Sequence, residues 1–273
     1  MTSSATRLSL GLVSGSGSLW NMTHRLQVTT FIGAGGKTTC LKTLAHEIES
    51  LGFPVVATTT TKVYPEDHMI LWKNLNPPPQ KAQGAWFWYD RTEDETGKWI
   101  GPPVTAVDEG IAVDNLRQRY WVIEGDGARG HKLKCWESYE PQIPKLTDCA
   151  VLVSDRGLWG RTLQSEDIHR YHRCMDLPGD VWNAESAWHY FLKSPVFASQ
   201  YAHMSWVILF NGSGKDLVKE SVNDPRSSLD ILKDLSGRWK DIKQNSIAAK
   251  RPKHLRIAAG DAKEGELQWF DLW

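Results

Sequence analysis

Short apolar runs alternate with amphipathic stretches along the chain, in a rhythm of strand, turn and helix. The runs are rich in β-branched or aromatic residues, which is typical of buried strands. They lie at residues 26–32, 54–61, 120–123, 150–153 and 207–210. The stretches between them are long enough for helices, so the pattern predicts an α/β fold with a mostly parallel central sheet and flanking helices.

Residues 38–52 carry the clearest helical pattern. Their apolar residues recur at the spacing of one helix face and are Leu41, Leu44, Ala45 and Ile48. Gly52 lies where the C-terminal cap of a helix belongs. Because predicted strands precede and follow this helix, the opening unit is predicted to be βαβ, with parallel strands and a right-handed crossover.

Two further segments have patterns of their own. A proline-rich hinge at residues 76–80 precedes residues 85–101, which are predicted to form a hairpin with its polar turn at 92–97. Residues 183–273 are predicted to complete the sheet or to form a small C-terminal cap. Residues 26–273 are therefore interpreted as a single nucleotide-binding α/β domain, an interpretation that depends on the glycine loop described below.

The first residues of the chain differ in composition from the rest. Residues 1–25 are rich in Ser, Thr and Gly, and no acidic residue occurs before Glu47. This composition predicts a disordered leader; a mitochondrial transit peptide is the alternative.

Charge and cysteine content narrow the classes of function. Lys and Arg together number 32, as do Asp and Glu, so the formal net charge is zero and neither a nucleic acid nor a membrane surface is the expected partner. No apolar run approaches the roughly 18 to 20 residues of a membrane span. The four cysteines are scattered, without a CxxC pair, and are Cys40, Cys135, Cys149 and Cys174. This usage predicts no disulfide framework and favours a reducing, cytoplasmic location.

The stretch TTFIGAGGKTT at residues 29–39 contains the most specific chemistry. Glycines allow the backbone to approach an anion closely, and a following helix points its N–H groups at it. The predicted nucleotide-binding residues are Gly33, Ala34, Gly35, Gly36, Lys37, Thr38 and Thr39. Lys37 would reach the terminal phosphates, and Thr38 would offer its hydroxyl to Mg²⁺. Phe31 stands where the strict GxxxxGK(S/T) motif has its first glycine, and an ordinary glycine-rich turn is the alternative.

An acidic pair follows the predicted strand at residues 120–123. Glu124 and Asp126 lie at its C-terminal end, where open parallel sheets bind ligands. Together with Thr38 they are predicted metal ligands, and together with Lys37 they are predicted catalytic residues. The alternative is an acidic turn without a ligand.

Three weaker motifs complete the sequence-based survey. The four threonines at residues 58–61, before Lys62, are explained either by β-propensity or by a phosphate or metal contact. In residues 167–174, Asp167, His169, His172 and Cys174 lie close together in the sequence. They could ligate a soft metal, but incidental histidines on a surface helical turn are the favoured interpretation. Residues 211–216, NGSGKD, are predicted to form a turn.

Four segments, in order, resemble one family. They are FIGAGGKTT, VVATTTTKVYP, GKWIG and VIEGDGARGHKLKCWESYEPQIP, and they resemble the YqeC-like, selenium-dependent hydroxylase accessory proteins. The resemblance implies a P-loop NTPase-like protein that takes part in the maturation of molybdenum hydroxylases carrying labile selenium. Its expected partner is a molybdenum hydroxylase or another cofactor-maturation protein.

The resemblance assigns the phosphate loop to residues 33–38 and the acidic pair to Glu124 and Asp126. It also covers a third segment without an assigned role, which includes Lys134, Glu140 and Pro141. The chain departs from the family pattern at two positions of this region, because Gly125 replaces an alanine and Tyr139 replaces a histidine. The segment that would read the nucleotide base is altered too, so the choice between ATP and GTP is not transferred.

Three functions are compatible with these observations. The first is an accessory protein that binds and hydrolyses ATP or GTP with Mg²⁺. The second is an ATP-dependent ligase or kinase for a small molecule, because the loop also resembles that of the Mur ligases. The third is a scaffold that binds nucleotide without hydrolysing it.

Overall fold

A computed structural model describes residues 14–65, 68–114, 119–177, 179–212, 227–243 and 251–273. Most of the turn predicted at residues 211–216 therefore lies outside the described residues, as do residues 1–13 of the predicted leader.

The strands and helices follow each other in the predicted rhythm. The strands are β1 (Ser14–Gly17), β2 (Val28–Gly33), β3 (Val55–Thr59), β4 (Lys62–Val63), β5 (Ile70–Lys73), β6 (Ala85–Tyr89), β7 (Arg91–Thr92), β8 (Trp99–Ile100), β9 (Tyr120–Glu124), β10 (Leu133–Lys134), β11 (Cys149–Asp155), β12 (Ile168–His169), β13 (Ser205–Asn211), β14 (His254–Asp261) and β15 (Glu266–Asp271). The helices are α1 (Leu19–Met22), α2 (Lys37–Ser50), α3 (Val104–Val113), α4 (Ala184–Lys193) and α5 (Ser228–Lys243).

Ten strands form one central sheet in the order β1-β15-β14-β13-β11-β2-β9-β3-β6-β5. The eight strands from β14 to β5 are parallel to one another, and at one edge β15 pairs antiparallel with both β14 and β1. The predicted α/β class with a mostly parallel sheet is thus confirmed. The loop strand β2 lies in the middle of the sheet, between β9 and β11.

Both faces of the sheet are covered, which explains the continuous apolar runs. Phe31 packs with α1 and α2 on one face, whereas the neighbouring Ile32 packs with α4 and α5 on the other. Helix α2 buries the stripe read from the sequence, and Gly52 beyond its end has a φ of +83°. In the described part of the chain, no helix is long and apolar enough to cross a membrane.

The hairpin predicted at residues 85–101 is only partly correct. Residues 85–89 form β6 of the central sheet, and all of them except Trp86 are buried. The hairpin is the shorter pair β7 and β8, with Thr92 opposite Trp99, and β4 joins it to make a three-stranded sheet. Lys62 of β4 forms an ion pair with Glu93 in the hairpin turn.

The leader prediction is wrong for residues 14–25. Strand β1 pairs with β15, and helix α1 buries Leu19 and Met22 completely. The backbone amide of Trp20 donates to Glu47 of α2 at 2.8 Å. A few large apolar residues are enough to anchor this segment, although its overall composition is that of a disordered chain.

The described part of residues 183–273 does not form a separate cap. Strands β13, β14 and β15 extend the central sheet, and α4 and α5 pack against it. The alternative, in which this region completes the sheet, describes its structure.

Candidate functional site

The loop after β2 lies against the end of β11, and this contact requires glycine. Gly33 and Gly35 have φ values of +94° and +91°. A Cβ atom on Gly33 would lie 2.4 Å from the carbonyl oxygen of Val153, and one on Gly35 would lie 2.5 Å from the backbone nitrogen of Asp155. Because neither distance is compatible with a non-bonded contact, both glycines are required by packing as well as by φ.

The loop leads directly into the N-terminus of α2. Gly36 precedes the helix, and its carbonyl oxygen accepts the amide of Cys40 at 2.9 Å. The N–H groups in the first turn of a helix have no acceptor within the helix, and the helix dipole adds partial positive charge there. This end of α2 therefore has the properties of an anion-binding site.

Lys37 is almost completely buried, with 5% of its surface exposed, and its ammonium group faces two carboxylates. Its Nζ donates to the carbonyl oxygen of Gly33 at 2.7 Å and lies 3.3 Å from Asp126 Oδ1 and 3.7 Å from Glu124 Oε1. A buried ammonium is costly unless it is paired, so the two acids stabilise the charge of Lys37 in this position.

Glu124 lies at the C-terminal end of β9 and contacts the first turn of α2. Thr38 Oγ1 donates to its Oε2 at 2.7 Å. Burial raises the pKa of the Glu124 carboxyl, while the charge of Lys37 and the hydrogen bond from Thr38 act in the opposite direction. The structure thus brings Lys37, Thr38 and Glu124 together at one point, as the sequence predicts.

Asp126 is fully buried and holds the glycine loop in place. The backbone N–H of Gly33 points at both of its oxygens, each 3.1 Å away, and Trp136 Nε1 donates to Oδ2 at 2.7 Å. The Nζ of Lys134 lies 3.6 Å from the same oxygen. Trp136 was not recognised from the sequence, because nothing in its local pattern indicates a partner at the acidic turn.

Lys134 and Glu140, which had no assigned role, form a charged network beside Asp126. Lys134 donates to the carbonyl oxygen of Gly127, and its Nζ lies 3.1 Å from Glu140 Oε1. Arg170 forms an ion pair with the other oxygen of Glu140. The network connects the segment after β9 to the region of β12.

The threonines at the end of β3 and directly after it mainly bond to neighbouring backbone. Thr59 donates to the carbonyl oxygen of Glu124 at 3.0 Å, and Thr60 donates to that of Gln142 at 2.8 Å. Thr61 lines the cleft beside the loop. Structural hydrogen bonds therefore account for Thr59 and Thr60, and Thr61 lies where a ligand contact is feasible.

Asn211, at the end of β13, is a site residue that the sequence pattern did not reveal. Its Nδ2 donates to the carbonyl oxygen of Gly35 at 2.9 Å, and its Oδ1 accepts the amide of Ala262 at 3.1 Å. The contact joins residues 176 positions apart in the chain. Only the order of the strands brings Asn211 to the loop.

These elements surround one cleft at the C-terminal ends of the parallel strands, with a volume of about 1160 Å³. Most of the predicted nucleotide-binding residues line it, namely Gly35, Gly36, Lys37, Thr38 and Thr39, together with Glu124. Ala34, also in the loop, is buried away from the cleft, and its amide donates to the carbonyl oxygen of Val153 at 2.9 Å.

The histidines and cysteine at residues 169–174 have separate partners. His169 is buried in β12, and the exposed His172 has its Nε2 3.2 Å from Glu137 Oε1. Cys174 forms a disulfide with Cys135, their Cα atoms being 6.3 Å apart. The prediction of no disulfide is wrong, because a separation of 39 residues hides a proximity that the pairing of β10 with β12 creates.

A second group of potential metal ligands lies at the opposite edge of the sheet. His24, His254 and Asp271 offer ligand atoms within 4.8 Å of one another. Arg256, however, donates to both oxygens of Asp271, at 2.6 and 2.9 Å. This bidentate ion pair accounts for the group without a metal.

Comparison with known proteins connects the cleft to one family. The model of the YqeC protein family matches residues 29–172, which contain the loop, Glu124, Asp126 and the Lys134 network but not Asn211. The chain is also similar to an uncharacterized protein, YqeC, of Escherichia coli (strain K12), with 30% identity over 160 residues. That alignment covers 57% of this chain and 62% of the relative. No solved structure matches the chain significantly.

Proposed function

The chain belongs to the YqeC family, and on that premise we propose that it binds ATP or GTP with Mg²⁺ in the cleft around the glycine loop. The proposal includes a P-loop NTPase-like role for residues 33–39. It treats the protein as a nucleotide-hydrolysing accessory factor for another protein.

The contact between Lys37, Thr38 and Glu124 is the observation that carries the proposal. A buried ammonium, a threonine hydroxyl and a carboxylate meet at the N-terminus of α2, with Thr38 Oγ1 2.7 Å from Glu124 and Lys37 Nζ 3.7 Å from it. A phosphate chain with its metal requires positive charge, free backbone N–H groups and oxygen ligands, and all three are available here. A glycine-rich turn without a ligand would not require the buried charges.

The donor atoms at this point suit Mg²⁺, which prefers oxygen ligands and usually retains several waters. Thr38 Oγ1 and the Glu124 carboxylate would hold the ion, directly or through water. Burial raises the pKa of Glu124, so a cation beside it would favour its ionised form. When bound, Mg²⁺ neutralises the charge of the phosphate oxygens.

Asp126 has a different role from Glu124 in this proposal. Its oxygens already accept hydrogen bonds from Gly33 and Trp136. We therefore assign it the positioning of the loop and of Lys37, rather than direct coordination of the metal. Lys37 supplies the positive charge for the phosphate oxygens.

Turnover of the nucleotide, together with release of phosphate, separates the three functions considered from the sequence. A hydrolase forms nucleoside diphosphate and phosphate from Mg²⁺-nucleotide alone, with Lys37 and Glu124 supporting charge stabilisation. A non-hydrolysing scaffold binds nucleotide but does not turn it over. A ligase or kinase forms nucleoside diphosphate only when a carboxylate or an amine is added; the ligase then releases phosphate, whereas the kinase transfers the phosphoryl group to the acceptor.

The client we propose is a molybdenum hydroxylase or another protein that receives a cofactor. Support comes from the resemblance of the four sequence segments to selenium-dependent hydroxylase accessory proteins. Association of the purified chain with such a hydroxylase, tested with and without nucleotide, would examine this part separately from nucleotide binding.

Titration with ATP and GTP, with and without Mg²⁺, tests the proposal directly. Tryptophan fluorescence provides the signal, since Trp136 contacts Asp126 beside the loop. Lys37→Ala should weaken binding at least tenfold, and Thr38→Val should remove the dependence on Mg²⁺. Lys253→Ala is the matched control, because Lys253 is exposed and precedes β14 at the opposite edge of the sheet.

Circular dichroism must show that each variant is folded before affinities are compared. Saturable, Mg²⁺-dependent binding that is lost in Lys37→Ala and kept in Lys253→Ala supports the site. Wild-type protein that binds neither nucleotide, or a folded Lys37→Ala variant that binds as tightly as wild type, would overturn the proposal.

A further inference from the structure

The cleft has a larger volume and more basic residues than the proposed nucleotide site requires. Its volume of about 1160 Å³ exceeds the roughly 300 to 1,000 Å³ of common small-molecule sites. Besides the glycine loop it is lined by a basic wall, which we define as Arg129, His131, His169 and Arg170. None of these four residues belongs to the site proposed for the nucleotide.

Arg129 is held in an unfavourable backbone conformation at the cleft. The amide of His131 donates to the carbonyl oxygen of Ala128 at 3.0 Å, closing a tight turn in which Arg129 and Gly130 have φ values of +50° and +80°. Turns with two positive φ values favour Gly, Asn or Asp at the position that Arg129 occupies. Within the described ranges, no carboxylate forms an ion pair with its guanidinium.

Arg170 also has a positive φ, +61°, so both arginines of the basic wall adopt conformations that are uncommon outside glycine. Strained residues of this kind persist where the surrounding structure holds them, and they cluster at ligand sites. Glu140 compensates the charge of Arg170, since Lys134 is also paired with Asp126. Arg129 therefore carries the charge of the wall that no carboxylate in the described ranges compensates.

The two histidines of this wall lie next to each other. The ring centroids of His131 and His169 are 5.2 Å apart. Burial, followed by the positive charges of Lys134 and Arg170, lowers the pKa of His169 to about 4. His169 is therefore neutral at pH 7, and an anion beside it would relieve the repulsion between these cations.

We propose that the basic wall binds a second, anionic ligand bearing a phosphate or carboxylate group, next to the nucleotide. Arg129 is the principal anchor, since its planar guanidinium can bind either anion in a bidentate manner. His131 and His169 supply additional hydrogen bonds. The inference rests on the proposed function only for its claim that two ligands share the cleft.

Isothermal titration of the full chain with orthophosphate and, separately, with malonate tests the basic wall. Each probe is added to protein without nucleotide and to protein saturated with Mg²⁺ and a non-hydrolysable ATP analogue. Arg129→Gly removes the guanidinium and at the same time relaxes the turn, so this variant should fold at least as well as wild type. Arg161→Ala, at an exposed arginine outside the cleft, is the control.

At least one probe should bind wild type at least tenfold more tightly than Arg129→Gly, with Arg161→Ala unchanged and Arg129→Lys intermediate. The probe that binds more tightly identifies the anion as phosphate or carboxylate. Absence of binding by both probes, or equal binding by Arg129→Gly, would overturn the inference. If the ATP analogue does not bind, the nucleotide proposal fails, while the titrations without nucleotide still decide whether the basic wall binds anions.

Discussion

Asp126 connects the glycine loop to the segment that follows β9. Its carboxylate lies 3.3 Å from Lys37 Nζ and 3.6 Å from Lys134 Nζ, and it also accepts the N–H groups of Gly33 and Trp136. A single buried negative charge thus serves two buried lysines. Substitution of either lysine is therefore expected to disturb the position of the other, because buried ion pairs tolerate the loss of one partner poorly.

His169 makes the stability of the protein depend on pH. Its pKa is about 4 in the folded protein, below the ordinary value of 6.5, so between these values the unfolded chain binds a proton that the folded protein does not. Stability should rise with pH across this window, by at most about 1.4 kcal/mol per pH unit from this residue. His169→Gln should reduce that slope in urea unfolding measured from pH 4.5 to 7.

The control for this measurement is the same comparison between pH 7.5 and 9, where His169 carries no proton in either state and the two proteins should have equal slopes. His24, whose pKa burial also lowers to about 4, is present in both proteins and cancels from the comparison. Between pH 4.5 and 7, a slope in His169→Gln equal to that of wild type would contradict the prediction.

At the scale of elements, the order of the strands assembles the site. Strand β2 pairs with β9 on one side, where Phe31 lies opposite Glu124, and with β11 on the other, where Gly33 lies opposite Val153. Parallel strands end at the same edge of a sheet. The glycine loop, Glu124 and the end of β11, against which the loop glycines pack, therefore meet at that edge. Strand β13, one position further, contributes Asn211.

The disulfide is a second connection between elements, and it joins β10 to the turn after β12. Reduction of Cys135–Cys174 should lower the free energy of unfolding by about 2 to 4 kcal/mol, because the bond limits the freedom of the unfolded chain. Urea unfolding with and without dithiothreitol measures this effect. The double variant Cys135→Ala, Cys174→Ala should not respond to dithiothreitol.

A thiol reagent applied to denatured protein provides an independent check. Protein purified without reductant should expose two thiols, Cys40 and Cys149, and reduced protein should expose four. Four thiols in the unreduced protein would show that the disulfide does not form.

At the scale of the whole molecule, segments near the two ends of the described chain close the same edge of the sheet. Strand β1 pairs with β15, and Arg256 of β14 donates to the carbonyl oxygen of Met22 at 2.6 Å. Helix α1 packs in the core that also contains α2. This edge therefore contributes to the core on which α2 packs, and α2 is the helix that follows the glycine loop.

Leu19 provides a test of the importance of this edge for the whole fold. It is completely buried, so Leu19→Ala should lower the free energy of unfolding by about 2 to 5 kcal/mol. Leu75→Ala is the matched control, since Leu75 is 76% exposed and should change stability by less than about 0.5 kcal/mol. Urea unfolding of both variants gives the comparison, and equal stabilities would mean that residues 14–25 do not contribute to the core.

Local sequence patterns predicted those elements whose residue types and periodicity match their burial in the fold. Val28–Gly33 is rich in β-branched residues and buried throughout, and α2 has one apolar face, so each was recognisable without its neighbours. Residues 85–101 were only partly predictable. Their polar turn at 92–97 suits a hairpin, but β6 pairs in parallel with β3 and β5, partners that the segment itself does not specify.

The sequence by itself determined the α/β class, the glycine loop with Lys37 and Thr38, and the acidic turn, because periodicity, glycine and charge act over a few neighbouring residues. Only the tertiary structure decided which residues support the loop. Asn211 of β13 bonds to the loop itself, Trp136 bonds to the Asp126 that holds the loop, and Cys135 meets Cys174 across 39 residues. Such contacts depend on the order in which strands pair, a property of the whole chain that no short segment encodes.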